Sequence, residues 1–455
     1  MAILDSSGVR NSRDALDDKL SFLEAVRSSS LAEEPPTAPS WKMCDAIFQI
    51  LSGSDSLELA MASYQLLIDL DKHYPRIYLK SPDNPGSSSV RVDELVVDKE
   101  AWSPLCVGPE MGRCGGERLL ENQVDSLRFC ALIDEICQAV NRRNSQLLIK
   151  SAENMLLFQY LVNILETDFL PRHTLYKETL DWVLLRESLL SMLLVSRRIN
   201  FKSIIRDSMF VLSRRCHQQT ESSISDLKDT STVSASAKNT QDSYIALALA
   251  TTQLERQTHV AMQKFLTMIM ELDVIKKEAD IHGLTTRADG LRTPVLDIIL
   301  DELTYAKDHI SPFLEVFSEP RWKMEITLQY FSKYCAKSSI RTRRSNDTPK
   351  DATFEDILNY FSSAASTKSI TRKIAPANAL SLLAHSFQAY LSLHHDQKYI
   401  ANNSEKVGTS TLSQICKGLI SAFQNIRKTD DRNLEVTPFE KEAFFTAATI
   451  VSQKL

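Results

Sequence analysis

Glycine is scarce in this chain, at 11 of 455 residues, where an average globular protein uses about 7%. Glycine supplies the positive-φ positions of tight hairpins and phosphate-binding loops, so its scarcity disfavours sandwiches, barrels and dinucleotide folds. Helix is what remains, and apolar residues do recur at helical spacing through most of the sequence. With 43% hydrophobic and 24% charged residues, the chain can bury a core and is not of the disordered class. A single core stops growing at about 250–300 residues, so this length predicts several units or one elongated repeat array.

The spacing predicts a first helix through Leu16, Leu20, Leu23 and Val26, broken at "EEPPTAPS". "KMCDAIFQIL" and "SLELAMASYQLLIDLDKHY" then read as a helical hairpin joined at Gly53, with Ser54 or Asp55 as a cap. Residues 75–116 turn to Pro, Gly and Ser and read as an irregular loop, with strand character only in "SVRVDELVV". Residues 117–217 predict three or four helices, the clearest being "ETLDWVLLRESLLSMLLVSRRI", apolar round most of its circumference. Residues 218–241 hold ten Ser or Thr and almost no large apolar side chains, the composition of a disordered linker. It would divide the chain into an N-terminal helical half, 1–217, and a C-terminal one, 242–455.

The second half opens with a predicted long helix from Tyr244 to Lys277, striped by Leu254, Ala261, Phe265, Met268, Leu272 and Ile275. Three helix starts follow, with Pro294, Pro312 and Pro320 each suited to a first helical position. Short helices on tight turns, each too apolar to stand alone, predict an all-α fold in the form of an irregular armadillo/HEAT-like helical array.

Motifs for chemistry are mostly lacking. "GPEMGRCGGE" at 108–117 lacks the Gly-Lys-Ser/Thr ending of a phosphate loop and reads as a flexible loop. His394 and His395 have no second cluster at metal-ligand spacing and read as a surface helix end. The carboxylate pairs Asp297/Asp301 and Asp69/Asp71 read as exposed helix faces. Cys130 and Cys137 lie seven apart on one helical face and read as core, and all eight cysteines are expected to be reduced residues of an intracellular protein. No secretory or membrane-spanning stretch is expected. The sequence therefore predicts no catalytic, metal or cofactor-binding residues, no small-molecule substrate and no membrane partner.

One feature stands out against the net charge of -5: "SSIRTRRSNDTPK", residues 338–350. Lys337, Arg341, Arg343, Arg344 and Lys350 cluster there, and a second basic group follows at Lys368, Arg372 and Lys373. Three readings stay open for the stretch: a solvated loop, a nuclear-import signal, or a contact to DNA or an acidic partner. If both groups emerge on one edge, they form a single patch.

Several stretches also resemble a known family. They are "DDKLSFLEAVR" at 17–27, "SLELAMASYQLLIDLDKHYPRIYL" at 56–79, "VVDKEAWSP" at 96–104 and "ETLDWVLLRESLLSMLLVSRRINFK" at 178–202. Further on come "IMELDVIKKEADIHGLTTRADGLRTPVLDIILDELTY" at 269–305, "WKMEITLQYFSKY" at 322–334, "IRTRRS" at 340–345 and "ITRKIAP" at 370–376. In order, these are similar to the plant family of negative regulators of systemic acquired resistance, also described as Nse-six-like subunits of the Smc-five/six complex. The resemblance implies a helical, armadillo-like, nuclear and non-enzymatic protein that restrains defence genes and serves DNA repair and recombination. It implies protein partners, namely a second helical, Nse-five-like accessory subunit and the Smc-five/six core, with DNA contacted mainly through them. A repressor touching DNA or transcription factors itself is the alternative. Only the basic stretch carries over as a candidate surface.

Overall fold

In the computed structural model, the described residues are 12–32, 36–54, 56–80, 94–98, 101–107, 123–142, 148–196, 199–213, 235–286, 293–335, 352–395, 411–429 and 434–453. Their regular secondary structure is helical apart from one two-stranded sheet and one isolated bridge, so the fold is all-α, which is compatible with an armadillo- or HEAT-like arrangement. The chain forms two compact units. One holds residues up to Val211 and Arg215–Val295, the other Leu212–Arg214 and Leu296–Leu455.

The first unit contains α1 (Ser12–Arg27), α2 (Trp41–Gly53), α3 (Leu57–His73), β1 (Ile77–Lys80), β2 (Glu94–Val97), α4 (Ser126–Arg142) and α5 (Leu148–Thr179). It continues with α6 (Trp182–Arg186), α7 (Leu189–Val195), α8 (Phe201–Ser213) and α9 (Ala235–Ile281). Helix α5 is the centre. Met155, Leu156, Leu157, Phe158, Tyr160, Leu161 and Val162 are all buried, which takes in every side of the helix, and neighbours α2, α3, α4 and α9 cover it. Phe158 meets Phe129 of α4 and Phe265 of α9, with ring centroids 6.2 and 6.3 Å away. Helix α9 runs parallel to α5: Gln159 bonds Thr258 and, further along both helices, Glu166 pairs with Lys264. Parallel neighbours need a crossover, and the chain between them, α6 to α8 included, provides it.

Several expectations are corrected here. The stretch 178–199 is not one helix but the end of α5 followed by α6 and α7. Leu180 takes a left-handed φ of 55°, Asp181 caps α6 through Val183 N–H, and Ser188 caps α7 through Ser191 N–H. Local capping overrides the continuous apolar pattern. The cap of α3 is Ser56, in place of Ser54 or Asp55, and Ser54 instead accepts from Ser56 N–H. Within 75–116, Ile77 to Lys80 pair antiparallel with Val97 to Glu94, and Leu105 bridges Val124. That segment is thus partly ordered by a strand, "IYLK", too short to show a period, and by Trp102, whose ring lies 5.5 Å from Phe48. Helix α9 begins at Ala235, nine residues ahead of the expected Tyr244, and overlaps the end of the expected linker at 218–241; the rest of that linker, 218–234, lies outside the described residues. The division into units follows packing and falls at Val295/Leu296, because α9 is bound to α5. At its far end α9 closes on Gly283, φ 68°, with Leu284 N–H donating back to Ala279 O, the αL ending that glycine allows.

The second unit contains α10 (Val295–Tyr305, starting one residue earlier), α11 (Ile310–Val316), α12 (Pro320–Cys335), α13 (Phe354–Tyr360) and α14 (Ala364–Thr371). After these come α15 (Pro376–His395), α16 (Leu412–Thr429) and α17 (Pro438–Ser452). Pro320 opens α12 as expected, while Pro294 stands just before α10 and Pro312 is the third residue of α11. The core helix is α15, packed by α11, α12, α16 and α17, with Leu380, Leu382, Leu383, Ala384, Phe387 and Tyr390 buried.

A candidate basic surface at the end of α12

Helix α12 is held by Met324, Ile326, Leu328, Tyr330 and Phe331, all buried, and its last turn is tied sideways. Lys333 Nζ bonds Asp301 at 2.9 Å, and the Tyr334 hydroxyl donates to Thr304 Oγ1 at 3.3 Å, both on α10. Stretch 336–351, with Lys337, Arg341, Arg343, Arg344 and Lys350, follows at once and lies outside the described residues. Beyond it the chain is fixed again by a capping box at α13, in which Thr353 and Asp356 bond each other's backbone N–H.

The second basic group is described, and it sits at this same place. Helix α14 is anchored by Ile370 and by Thr367, whose buried hydroxyl reaches Phe361 O at 3.2 Å. Its far end exposes Lys368, Arg372 and Lys373. Lys373 Nζ donates to Tyr334 O at 3.0 Å, a cation capping the negative end of α12 one residue before that helix stops. Lys373 thus touches Tyr334, two residues before the 336–351 stretch, and Lys368 and Arg372 stand exposed near it without an ion pair among the described residues. Such a group can engage phosphate or carboxylate oxygens.

The other titratable candidates separate by burial. Asp297 is exposed, and Asp301 is taken by Lys333; Asp69 pairs with Arg27 at 3.2 Å. Asp71 departs from the exposed-face expectation. Burial pushes its carboxyl up to about 7, against an opposing pull from the neighbouring Tyr160 hydroxyl. Burial, then the Asp71 charge, raises the Cys44 thiol to about 11 and holds the Tyr160 phenol well above its usual range. A thiol kept protonated is no nucleophile, so this cluster of α2, α3 and α5 belongs to the core. Its signal was in the sequence: Asp71 continues the stripe of Ser63 and Leu67, both buried. Cys130 and Cys137, expected in the core, are only half-buried, while Cys416 is fully so. His394 and His395 do end α15. His385, which sequence reasoning passed over, is buried against Phe439 at 4.4 Å, and burial, then the Lys323 charge, lowers it to about 3, leaving it neutral. Among the described residues no three His, Cys, Asp or Glu side chains are placed to hold a metal, and no helix is long and apolar enough to cross a membrane.

Residues 76–319 match the SNI1 middle domain, and residues 335–455 match the SNI1 C-terminal domain. The chain belongs to the SNI1 family. The negative regulator of systemic acquired resistance SNI1 of Arabidopsis thaliana is 38% identical to it over 456 residues, covering 100% of this chain and 94% of that protein. No solved structure matches. The homologue is a regulatory protein of plant defence, and the middle-domain match takes in both the division between the units and the helices α10 and α11.

Proposed function

We propose that this protein is a non-catalytic nuclear adaptor that restrains systemic acquired resistance and defence-gene expression as a subunit of the Smc-five/six complex, with roles in DNA repair and recombination. The observation that carries the regulatory part is the end-to-end identity of 38% with a negative regulator of systemic acquired resistance. The adaptor part rests on the family resemblance and on chemistry. The buried Cys44 thiol is held protonated and the buried His385 neutral, while the exposed Lys373 meets a backbone oxygen. Its partners on this reading are a second helical, Nse-five-like subunit and the Smc-five/six core, and DNA is reached mainly through them.

Direct repression is the competing reading, favoured by one observation: Lys368, Arg372 and Lys373 stand exposed at the root of the 336–351 basic stretch. Titrating the purified chain with labelled duplex DNA at several salt concentrations separates the two. The adaptor reading expects weak affinity with a shallow slope of log affinity on log salt, since few phosphates are met. A repressor gripping six or more phosphates gives a slope of about -5 or steeper, and that result would replace the adaptor with the alternative.

A further inference from the structure

Along the outer side of the first unit, α5 and α9 leave a groove of about 320 Å³ between them, with Tyr64 of α3 at one edge. Its floor is rigid. Gln159 Nε2, buried on α5, donates to Leu254 O at 3.2 Å and to Thr258 Oγ1 at 2.9 Å, bolting the two parallel helices together. One end is closed by the Lys264–Glu166 ion pair at 2.8 Å. Between floor and end, Gln253, Arg256 and Gln257 line the α9 wall opposite Asn163 on α5. All three α9 side chains are exposed, and neither they nor Asn163 form a hydrogen bond or ion pair with another described residue. Val260, 55% exposed, forms an apolar shelf beyond them.

These side chains define what fits. A carboxamide offers two N–H donors and an acceptor oxygen, so Asn and Gln pair equally well with the N–H and the C=O of a peptide unit. Gln253 and Gln257 are one helical turn apart, about 6 Å at 1.5 Å per residue. Alternate residues of an extended chain repeat at about 6.6 Å, so both amides can bond the same edge of one strand. From Gln253 to Lys264 the wall runs about 16 Å, the length of about five extended residues. The lining charges are Glu166, Arg256 and Lys264; the first and last cancel, which leaves Arg256 as a single positive charge in a protein of net charge -5. One unpaired cation suits a carboxylate and not a nucleic-acid strand, whose phosphates call for a row of them.

We propose that this groove binds an extended acidic peptide segment of a protein partner. The main chain lies on Gln253, Gln257 and Asn163, a carboxylate meets Arg256, and an apolar side chain rests on Val260. The site is separate from the basic surface at the end of α12 and goes beyond the adaptor reading by assigning a second contact and its chemistry.

Fluorescence anisotropy on the full chain tests it, with a fluorescein-labelled peptide Glu-Asp-Glu-Leu-Asp-Glu-Glu and a control in which every acid is replaced by its amide. Saturable binding of the acidic peptide is expected, with the control and Arg256→Glu each weaker by about tenfold, the loss of one charge-assisted contact. The double variant Gln253→Ala/Gln257→Ala also weakens it, whereas Lys368→Glu/Arg372→Glu/Lys373→Glu leaves it unchanged. All substituted side chains are exposed, so unchanged thermal unfolding certifies that the variants fold. Absence of saturable binding overturns the proposal, as does equal binding of both peptides, indifference to Arg256→Glu, or loss of binding in the Lys368/Arg372/Lys373 variant alone.

Discussion

Replacing Asp168 with Ala removes the carboxylate that fastens the α6–α7 turn to the central helix. Asp168 Oδ2 accepts from Leu189 N–H at 2.7 Å, the first amide of α7, and lies 3.4 Å from Arg172 Nε one turn further along α5. Arg172 in turn donates through Nη1 to Leu184 O of α6 at 3.0 Å. The two side chains are 3% and 7% exposed, so the pair is screened from solvent. Burial raises the Asp168 carboxyl despite the lowering by Arg172, meaning that desolvation outweighs the attraction of its partner. Such a pair adds little net stability, but breaking it strands a charge, at a cost of about 3–5 kcal/mol. Asp168→Ala leaves a guanidinium that cannot shed its proton and should therefore reach this range. Arg172→Met leaves a carboxyl that can take up a proton, so its cost at pH 7 should be lower. With the cation gone, the folded form binds that proton more tightly than the unfolded chain does, so the penalty of Arg172→Met shrinks as pH falls through the raised folded value toward the unfolded one. The double change to Asp168→Leu/Arg172→Met should cost less than Asp168→Ala alone. Urea unfolding followed by far-ultraviolet circular dichroism at pH 7 and pH 5 measures all three. If Asp168→Ala lost under about 1 kcal/mol, or if the two single changes cost the same at both pH values, the buried-pair argument would fail.

Asp71→Asn imitates the protonated carboxyl that burial favours. Because the folded value of about 7 lies above the ordinary 3.8, the native protein loses stability from this group as pH rises between those values. The variant should be more stable than the native protein at pH 8, by on the order of 3 kcal/mol at 1.36 kcal/mol per unit and some allowance for solvent access, and close to it at pH 4; parallel unfolding curves at the two pH values decide this. Leu180→Gly should raise stability by about 0.5–1 kcal/mol, as relief of the left-handed backbone exceeds the flexibility that glycine adds; a lower thermal midpoint would show that this exposed leucine makes contacts worth keeping. Lys373→Ala should cost only about 0.3–1 kcal/mol, the worth of a cation at a helix end, as read from the same thermal melts; a loss of several would mean that Lys373 does more than cap α12.

Helices could be read from the sequence because their cause is repetitive. Scarce glycine and apolar residues at helical spacing act over a dozen residues at once, so α1, α2, α3 and α12 emerged close to where they lie, and α9 did so along most of its length. Breaks in helices were less legible. The stretch 178–199 keeps its apolar pattern straight through Leu180 and Glu187, and what divides it is capping, by Asp181 at α6 and by Ser188 at α7, where Asp168, 21 residues back, also takes the Leu189 N–H. Strand β1 failed to register because four residues cannot display a period, and its partner lies beyond a segment of mixed signals. Composition marks where the chain is polar, whereas the division into two compact units at Val295/Leu296 follows which helices pack; α9 belongs to α5. At the candidate surface, charge was visible residue by residue, but the meeting of Lys373 with Tyr334 joins positions 39 apart and needs the fold. The groove between α5 and α9 was hidden for a like reason: Gln253, Arg256 and Gln257 look like an ordinary solvated helix face until Asn163 stands opposite.

The adaptor claim is tested most directly by purifying the tagged full-length protein from nuclei of plants that express it and identifying by mass spectrometry what comes with it. An adaptor should bring down a second helical accessory subunit together with the Smc-five/six core, after nuclease treatment and at salt high enough to strip non-specific DNA contacts. Recovery of neither, combined with tight and steeply salt-dependent binding of the isolated chain to DNA, would contradict it.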